Sequence, residues 1–278
     1  MPLGIRFFIP VRQHSQATCC LLFCLCAALW LNGAPYEYTY FCLSMNWRDQ
    51  LSRLLRPTPM PELAPNAAAL QDAMRAKRAM QTDQAVARFD EAAAAAATVT
   101  ERARIGRLKV ETLLDAGRLQ DAAVAVEAVK ASGNTGSAGA HWRIAAGLVT
   151  WGNGDLAGAR ENFEAADTLA HSAANGSLAA LPVAFNAGIY LSEGNAVYAV
   201  KLLREALPTL SASGDLDHYA YFNGIYGRAL IQSGHEGEGA AYIGKALELA
   251  DHLQDKLRIR QWSLDLGERA FREGRFFD

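Results

Sequence analysis

The sequence predicts an all-α protein, a solenoid of about five stacked helix hairpins closed by a C-terminal capping helix. Three observations predict it. From Asn66 onward the chain is rich in Ala, Leu, Glu, Lys and Arg and shows no alternating strand pattern. Isolated glycines interrupt it at Gly117, Gly154, Gly194, Gly234 and Gly274, separated by 37, 40, 40 and 40 residues, and single glycines between helical stretches mark helix ends that need a left-handed residue. The flanks of these glycines repeat in the same register.

Seven residues before each glycine stand Val110, Gly147, Ala187, Gly227 and Gly267, small in four of five cases. Five residues after the first four glycines come Ala122, Ala159, Ala199 and Gly239; nine after come Val126, Phe163, Leu203 and Ile243; twelve after come Val129, Ala166, Ala206 and Ala246. One step earlier the register lands on Met80, with Ala73, Ala85, Phe89 and Ala92 at the same offsets, so the repeat begins there without its glycine. Small residues at fixed points of two successive helices let their backbones approach closely, and the large residue between them fills the gap to the next pair. The pattern resembles the tetratricopeptide repeat, whose signature is a small residue in the first helix, then Ala, a large apolar or aromatic residue, and Ala in the second. The resemblance covers residues 66–278. It departs from the family in lacking the first-helix Trp, in keeping the usual aromatic only as Tyr190, and in a spacing of 37 to 40 residues that is similar to the longer variant of sensor and regulator modules. It implies a right-handed solenoid.

The N-terminal elements differ from this array. Residues 1–44 carry only Arg6, Arg12 and Glu37 as charged residues, and all five cysteines of the chain: four between Cys19 and Cys26, then Cys42. Clustered in an apolar run, these thiols suit neither a disulfide scaffold nor a zinc site. Three readings stay open for this segment. It has the outline of a cleaved secretory signal; residues 17–31 are an uncleaved anchor, although 15 residues span only roughly 22 Å of a core about 30 Å thick; or it is non-native sequence ahead of a start at Met45. Cytoplasmic placement follows from the last reading, and a secreted, periplasmic or membrane-anchored one from the others, the anchored form pointing to an assembly factor. Residues 45–56 place Trp47, Leu51, Leu54 and Leu55 on one helical face and predict a short amphipathic helix. Pro57, Pro59, Pro61 and Pro65 stiffen a linker over 57–65.

The register then predicts hairpins near 66–99, 103–136, 140–173, 180–213 and 220–253. Pro182 suits the first turn of its helix, whereas Pro208 should end or bend its helix near Leu207. A last helix over about 256–273 carries many charged residues, as a capping element with a polar outer face requires.

A net charge of -2 gives no reason to seek phosphate backbones, so no nucleic-acid partner is expected. No HExxH, GxSxG, phosphate-loop, EF-hand or CxxC spacing is present, and no catalytic residue, cofactor or metal is expected. His235, Glu236 and Glu238 follow a hairpin turn where polar residues are exposed anyway. Near Asp215, Asp217 and His218, an aspartate capping the next helix is simpler than a metal. What remains is surface recognition: stacked hairpins turn their first helices inward and bind a peptide or protein segment along the concave face. A ligand- or signal-sensing module is the alternative. The family resemblance implies groove residues one turn apart on the first helices: Arg104, Arg107 and Glu111; His141, Ile144, Leu148 and Trp151; Leu181, Ala184 and Gly188; Tyr221, Gly224 and Arg228. Trp151 is equally suited to wedging between hairpins. Arg107 and Arg228 are hard to bury without a partner.

Overall fold

The computed structural model describes residues 65–274; the signal-like segment 1–44, the helix expected at 45–56 and the linker up to residue 64 lie outside the described residues. Within them the chain is all-α, as the sequence predicts. Five antiparallel hairpins follow one another: α1 (Pro65–Arg78) with α2 (Thr82–Ala94), α3 (Val99–Asp115) with α4 (Leu119–Ser132), α5 (Gly136–Gly152) with α6 (Leu156–Ser172), α7 (Gly176–Ser192) with α8 (Ala196–Ala212), and α9 (Leu216–Gln232) with α10 (Glu236–Leu253). A single helix, α11 (Lys256–Arg272), packs on α10. The first helices also pack on one another, α3 on α5, α5 on α7 and α7 on α9, and form the inner layer.

The turns explain the punctuation. Gly117, Gly154, Gly194, Gly234 and Gly274 all have positive φ, the conformation that costs an L residue steric energy and a glycine none. Each of the first four ends its helix with the same pair of bonds, as in Gly117 N–H to the Leu114 carbonyl and Arg118 N–H to the Leu113 carbonyl, the Schellman closure that satisfies orphan carbonyls. Met80, where the register lacks its glycine, makes this turn too, with φ of 62°. A second set of left-handed residues, Ala174, Gly214 and Gln254, ends the outer helices. The next residue then caps the following helix: Asn175, Asp215 and Asp255 accept from the backbone N–H groups of Leu178, His218 and Arg258.

The packing follows the small–large–small pattern. Ala73, Ala85, Phe89 and Ala92 are fully buried, as are Ala159, Phe163 and Ala166. Gly147 is flat against Phe163, where a Cβ would come within 2.7 Å of the ring. At the fifth hairpin Gly227 and Gly239 bring two backbones together, and a Cβ on either would lie 2.6 Å from the other's carbonyl oxygen.

Three expectations need correction. The first helices of the later hairpins start about a turn before the register placed them, because caps such as Thr98, Asn175 and Asp215 precede the first apolar residue. Pro182 therefore lies in the interior of α7, and Pro208 lies inside α8, which continues to Ala212 instead of ending near Leu207. Each proline removes one N–H from the helix ladder, and tertiary burial of the flanking residues Leu181, Ala184, Leu207 and Leu210 holds the helix nonetheless. The last helix is not a uniformly polar cap either. Trp262 is fully buried against Gly224, whereas Leu264 and Phe271 are exposed apolar residues and Gly267 faces open space.

Candidate functional site

The inner layer curves until the first hairpin reaches the last. Arg78 of α1 makes a bidentate pair with Asp217 of α9, at 2.8 and 2.6 Å. Arg258 of α11 reaches Asp115 of α3 at 2.8 Å. Lys77 lies 3.6 Å from Glu111 and 3.9 Å from Asp115. The first two of these contacts join residues more than a hundred positions apart, and together the contacts close the inner face around a buried charge network.

At its centre is Arg107, 2% exposed. Its Nη1 donates to Glu111 Oε1 and its Nε donates to His141 Nδ1 at 3.2 Å. His218 arrives from α9 with Nδ1 2.8 Å from Asp215 Oδ2 and Nε2 3.2 Å from Glu111 Oε2. Two carboxylates on its two ring nitrogens suit a protonated imidazole that donates from both. Burial works against that charge, yet Asp215 and Glu111 outweigh it and hold the His218 pKa up at about 9. Arg107 Nη1 and His218 Nε2 are 3.2 Å apart because both converge on Glu111. Burial would raise the Glu111 carboxyl, but Arg107 and His218 hold it well below the usual range. His141 is pushed the other way: burial first, then the Arg107 charge, keep it neutral, as an acceptor for Arg107 must be.

Of the expected groove residues, Arg107, Glu111 and His141 are thus brought together, but buried and bonded to one another. Ile144 is fully buried core. Arg228 pairs with Asp265 through two bonds of 2.6 and 2.9 Å and lies over the Trp262 ring. Burial of Arg107 and pairing of Arg228 therefore need no external partner, contrary to expectation: the superhelix supplies acceptors from distant helices. Arg104 alone of the expected cations is exposed, with no ion pair among the described residues. Trp151 wedges between neighbouring hairpins, one of the two roles expected of it. Its ring presses on Gly188, where a Cβ would lie 2.6 Å away, and it also faces a cavity.

That cavity, of about 310 Å³, lies on the inner face beside the network. Its floor descends along the array. The last turns of α1, α3 and α5 contribute Lys77, Glu111, Asp115 and Trp151; the middle of α7 contributes Phe185; the first two turns of α9 contribute Asp217 and Tyr221, and the first turn of α11 contributes Arg258. The Arg258 guanidinium stacks over the Tyr221 ring at 4.4 Å. Burial raises the Tyr221 phenol pKa and keeps it protonated, and burial likewise raises that of Asp255 at the rim. A second cleft, of about 350 Å³, shares Asp217 with the first and is lined also by Arg78 and Arg104. Sequence reasoning placed Glu111, Leu148, Trp151 and Tyr221 in the groove, weighed Asp217 and His218 only as a polar cluster at a cap, and missed Lys77, Asp115, Phe185 and Arg258. The signal that could have found them is a cation or carboxylate on the inner stripe at changing heights along successive first helices.

Asp215 caps α9, as expected, and its other oxygen holds His218. The His235 ring is hydrogen-bonded to Ser233, and no group of three metal-ligating side chains forms among the described residues. No described helix is long and apolar enough to cross a membrane. No protein-family model matches the chain, and no curated protein is similar to it. Among solved structures, a crystal structure of MamA protein is similar over 67% of this chain and 92% of its own, with 16% identity and a TM-score of 0.36.

Proposed function

We propose that the protein is a non-catalytic interaction module that holds a short protein segment against its inner helices, beside Arg104. The observation that carries this reading is the second cleft. Leu70, Met74, Leu108, Leu216 and Leu253 line this cleft with Arg104, an exposed cation that makes no ion pair among the described residues. An apolar segment bearing one acidic side chain complements it: burial of the apolar groups supplies affinity at about 25 cal/mol per Å², and the guanidinium orients the carboxylate bidentately. Of the neighbouring acids, Asp217 is hydrogen-bonded by Arg78 and Asp215 by His218, although the Asp215 charge still acts on Arg104.

Selection of displayed peptides on the full chain tests the reading. Segments that combine a carboxylate with large apolar residues should be enriched, and Arg104→Glu should lose them with helicity unchanged. Enrichment that ignores the carboxylate, or that survives Arg104→Glu, removes the site.

A further inference from the structure

We propose that the cavity beside the charge network is a second site, for a small zwitterion: an α-amino acid with an aromatic side chain. This goes beyond the protein-docking reading. The two clefts share only Asp217 among their lining residues, so each is testable with the other intact.

The charge balance selects a ligand with no net charge. Lys77, Arg258 and protonated His218 line the wall together with Glu111, Asp115, Asp217 and Asp255. Arg78 and Arg107 pair with Asp217 and Glu111 from outside the wall, and Asp215 pairs with His218, so five positive groups meet five negative ones. Within this balance two opposite charges lack a hydrogen-bonded counterpart. The Lys77 ammonium, on a side chain only 14% exposed, lies 3.6 Å from Glu111 and 3.9 Å from Asp115 and donates no hydrogen bond among the described residues. The Asp255 carboxylate makes no ion pair there: its Oδ1 accepts from the Arg258 backbone N–H, and its Oδ2 is uncommitted. Burial raises the Asp255 carboxyl, although Arg258 and Lys77 draw it down. Lys77 is thus near enough to act on Asp255, yet the two do not pair.

Other groups of the wall add to both sides. Asp115 Oδ1 accepts from Arg258 at 2.8 Å, and its Oδ2 has no hydrogen bond. Burial keeps the Tyr221 phenol protonated, and neither its hydroxyl nor the Trp151 indole N–H makes a hydrogen bond among the described residues. Donors and charges left without partners in a partly buried site are costly. A neutral polar ligand would leave Lys77 and Asp255 without charge-assisted bonds. A zwitterion supplies both: its carboxylate accepts from Lys77 and Tyr221, its ammonium donates to the free oxygens of Asp255 and Asp115, and the sum of charges stays at zero. Trp151, Phe185 and Tyr221, from three successive inner helices, give the rest of the wall its aromatic surface. The volume of about 310 Å³ is at the small end of ligand sites and suits a single amino acid.

Calorimetric titration of the full chain with L-phenylalanine, 3-phenylpropionate, phenethylamine and L-alanine tests the proposal, since the last three lack in turn the ammonium, the carboxylate and the ring. L-Phenylalanine should bind at least tenfold more tightly than any of them, the worth of one charge-assisted hydrogen bond or of ring burial. Asp255→Asn keeps an oxygen to cap the last helix and should lower the affinity for L-phenylalanine about tenfold, to that of 3-phenylpropionate, with circular dichroism unchanged. Lys77→Met should lower it to that of phenethylamine. Arg104→Glu, which removes the protein-docking cleft, should leave it alone. The proposal is overturned if L-phenylalanine binds no better than about 1 mM, if its margin over any of the three is below tenfold, or if Asp255→Asn keeps wild-type affinity. Should Lys77→Met fail to fold, Asp255→Asn and the three analogues decide the matter alone.

Discussion

Raising the pH from 6.5 to 9.5 should weaken the fold through one side chain, His218. In the folded chain its imidazolium donates to Asp215 and Glu111 and its pKa is about 9, against about 6.5 in an unfolded chain. Because the folded state holds this proton more tightly, the stabilisation is whole below pH ~6.5 and is lost as pH rises through about 9. A difference of some two and a half pK steps at 1.36 kcal/mol each amounts to about 3 kcal/mol, a large share of the 5–15 kcal/mol typical of a domain. On the acid side the sign reverses. His141, held neutral, begins to cost stability as pH falls below its ordinary range, and Glu111, held ionised, costs more as pH falls further. Urea unfolding followed by circular dichroism at pH 6.5, 8 and 9.5 measures the effect. His218→Gln, which retains a donor, should be less stable at pH 6.5 and should lack the alkaline decline. The reasoning is refuted if wild type loses under about 1 kcal/mol across this range, or if His218→Gln shows the same slope.

Other predictions concern the turns, the close crossings and the closure of the inner face. Met80 is 47% exposed and sits at a positive φ in a Schellman turn, so Met80→Gly should stabilise by about 1 kcal/mol, read as a higher Tm. A lower Tm would mean that the side chain, not the backbone, matters there. Gly227→Ala puts a Cβ 2.6 Å from the Gly239 carbonyl oxygen; it should destabilise by about 1–3 kcal/mol despite alanine's better helix propensity, and an unchanged midpoint in urea would contradict the backbone contact. A double-mutant cycle on Arg78→Ala and Asp217→Ala should give a coupling of about 1 kcal/mol or more, with a larger radius of gyration in solution when the pair is lost. Zero coupling with unchanged dimensions would show that the superhelix does not depend on this link.

The fold was legible because its causes are local. Left-handed turns demand glycine or tolerate few substitutes, so Gly117, Gly154, Gly194 and Gly234 announce the hairpins, and close helix contacts demand small residues, so Ala85, Ala122, Ala159 and Ala199 keep register. Local rules also explain the misses. Pro182 and Pro208 read as helix boundaries on backbone propensity, yet both sit within helices whose burial outweighs it. Arg107 and Arg228 read as exposed groove cations because their partners are remote: Arg107 donates to His141 on α5 and shares its neighbour Glu111 with His218 of α9, and Arg228 meets Asp265 on α11.

The sequence by itself thus determined the element type, the hairpins and which helix of each pair faces inward. Only the tertiary structure decided the curvature of the array and the places where its inner face meets itself. A constant offset from each turn selects one stripe along the inner helices, but a superhelix advances along its axis with every repeat. One cavity is therefore lined by the end of α1, the middle of α7 and the beginning of α11, through Lys77, Phe185 and Arg258. Periodicity reports position within a repeat. The site depends on the small rotation between repeats, which accumulates over five hairpins and is written in no single one of them.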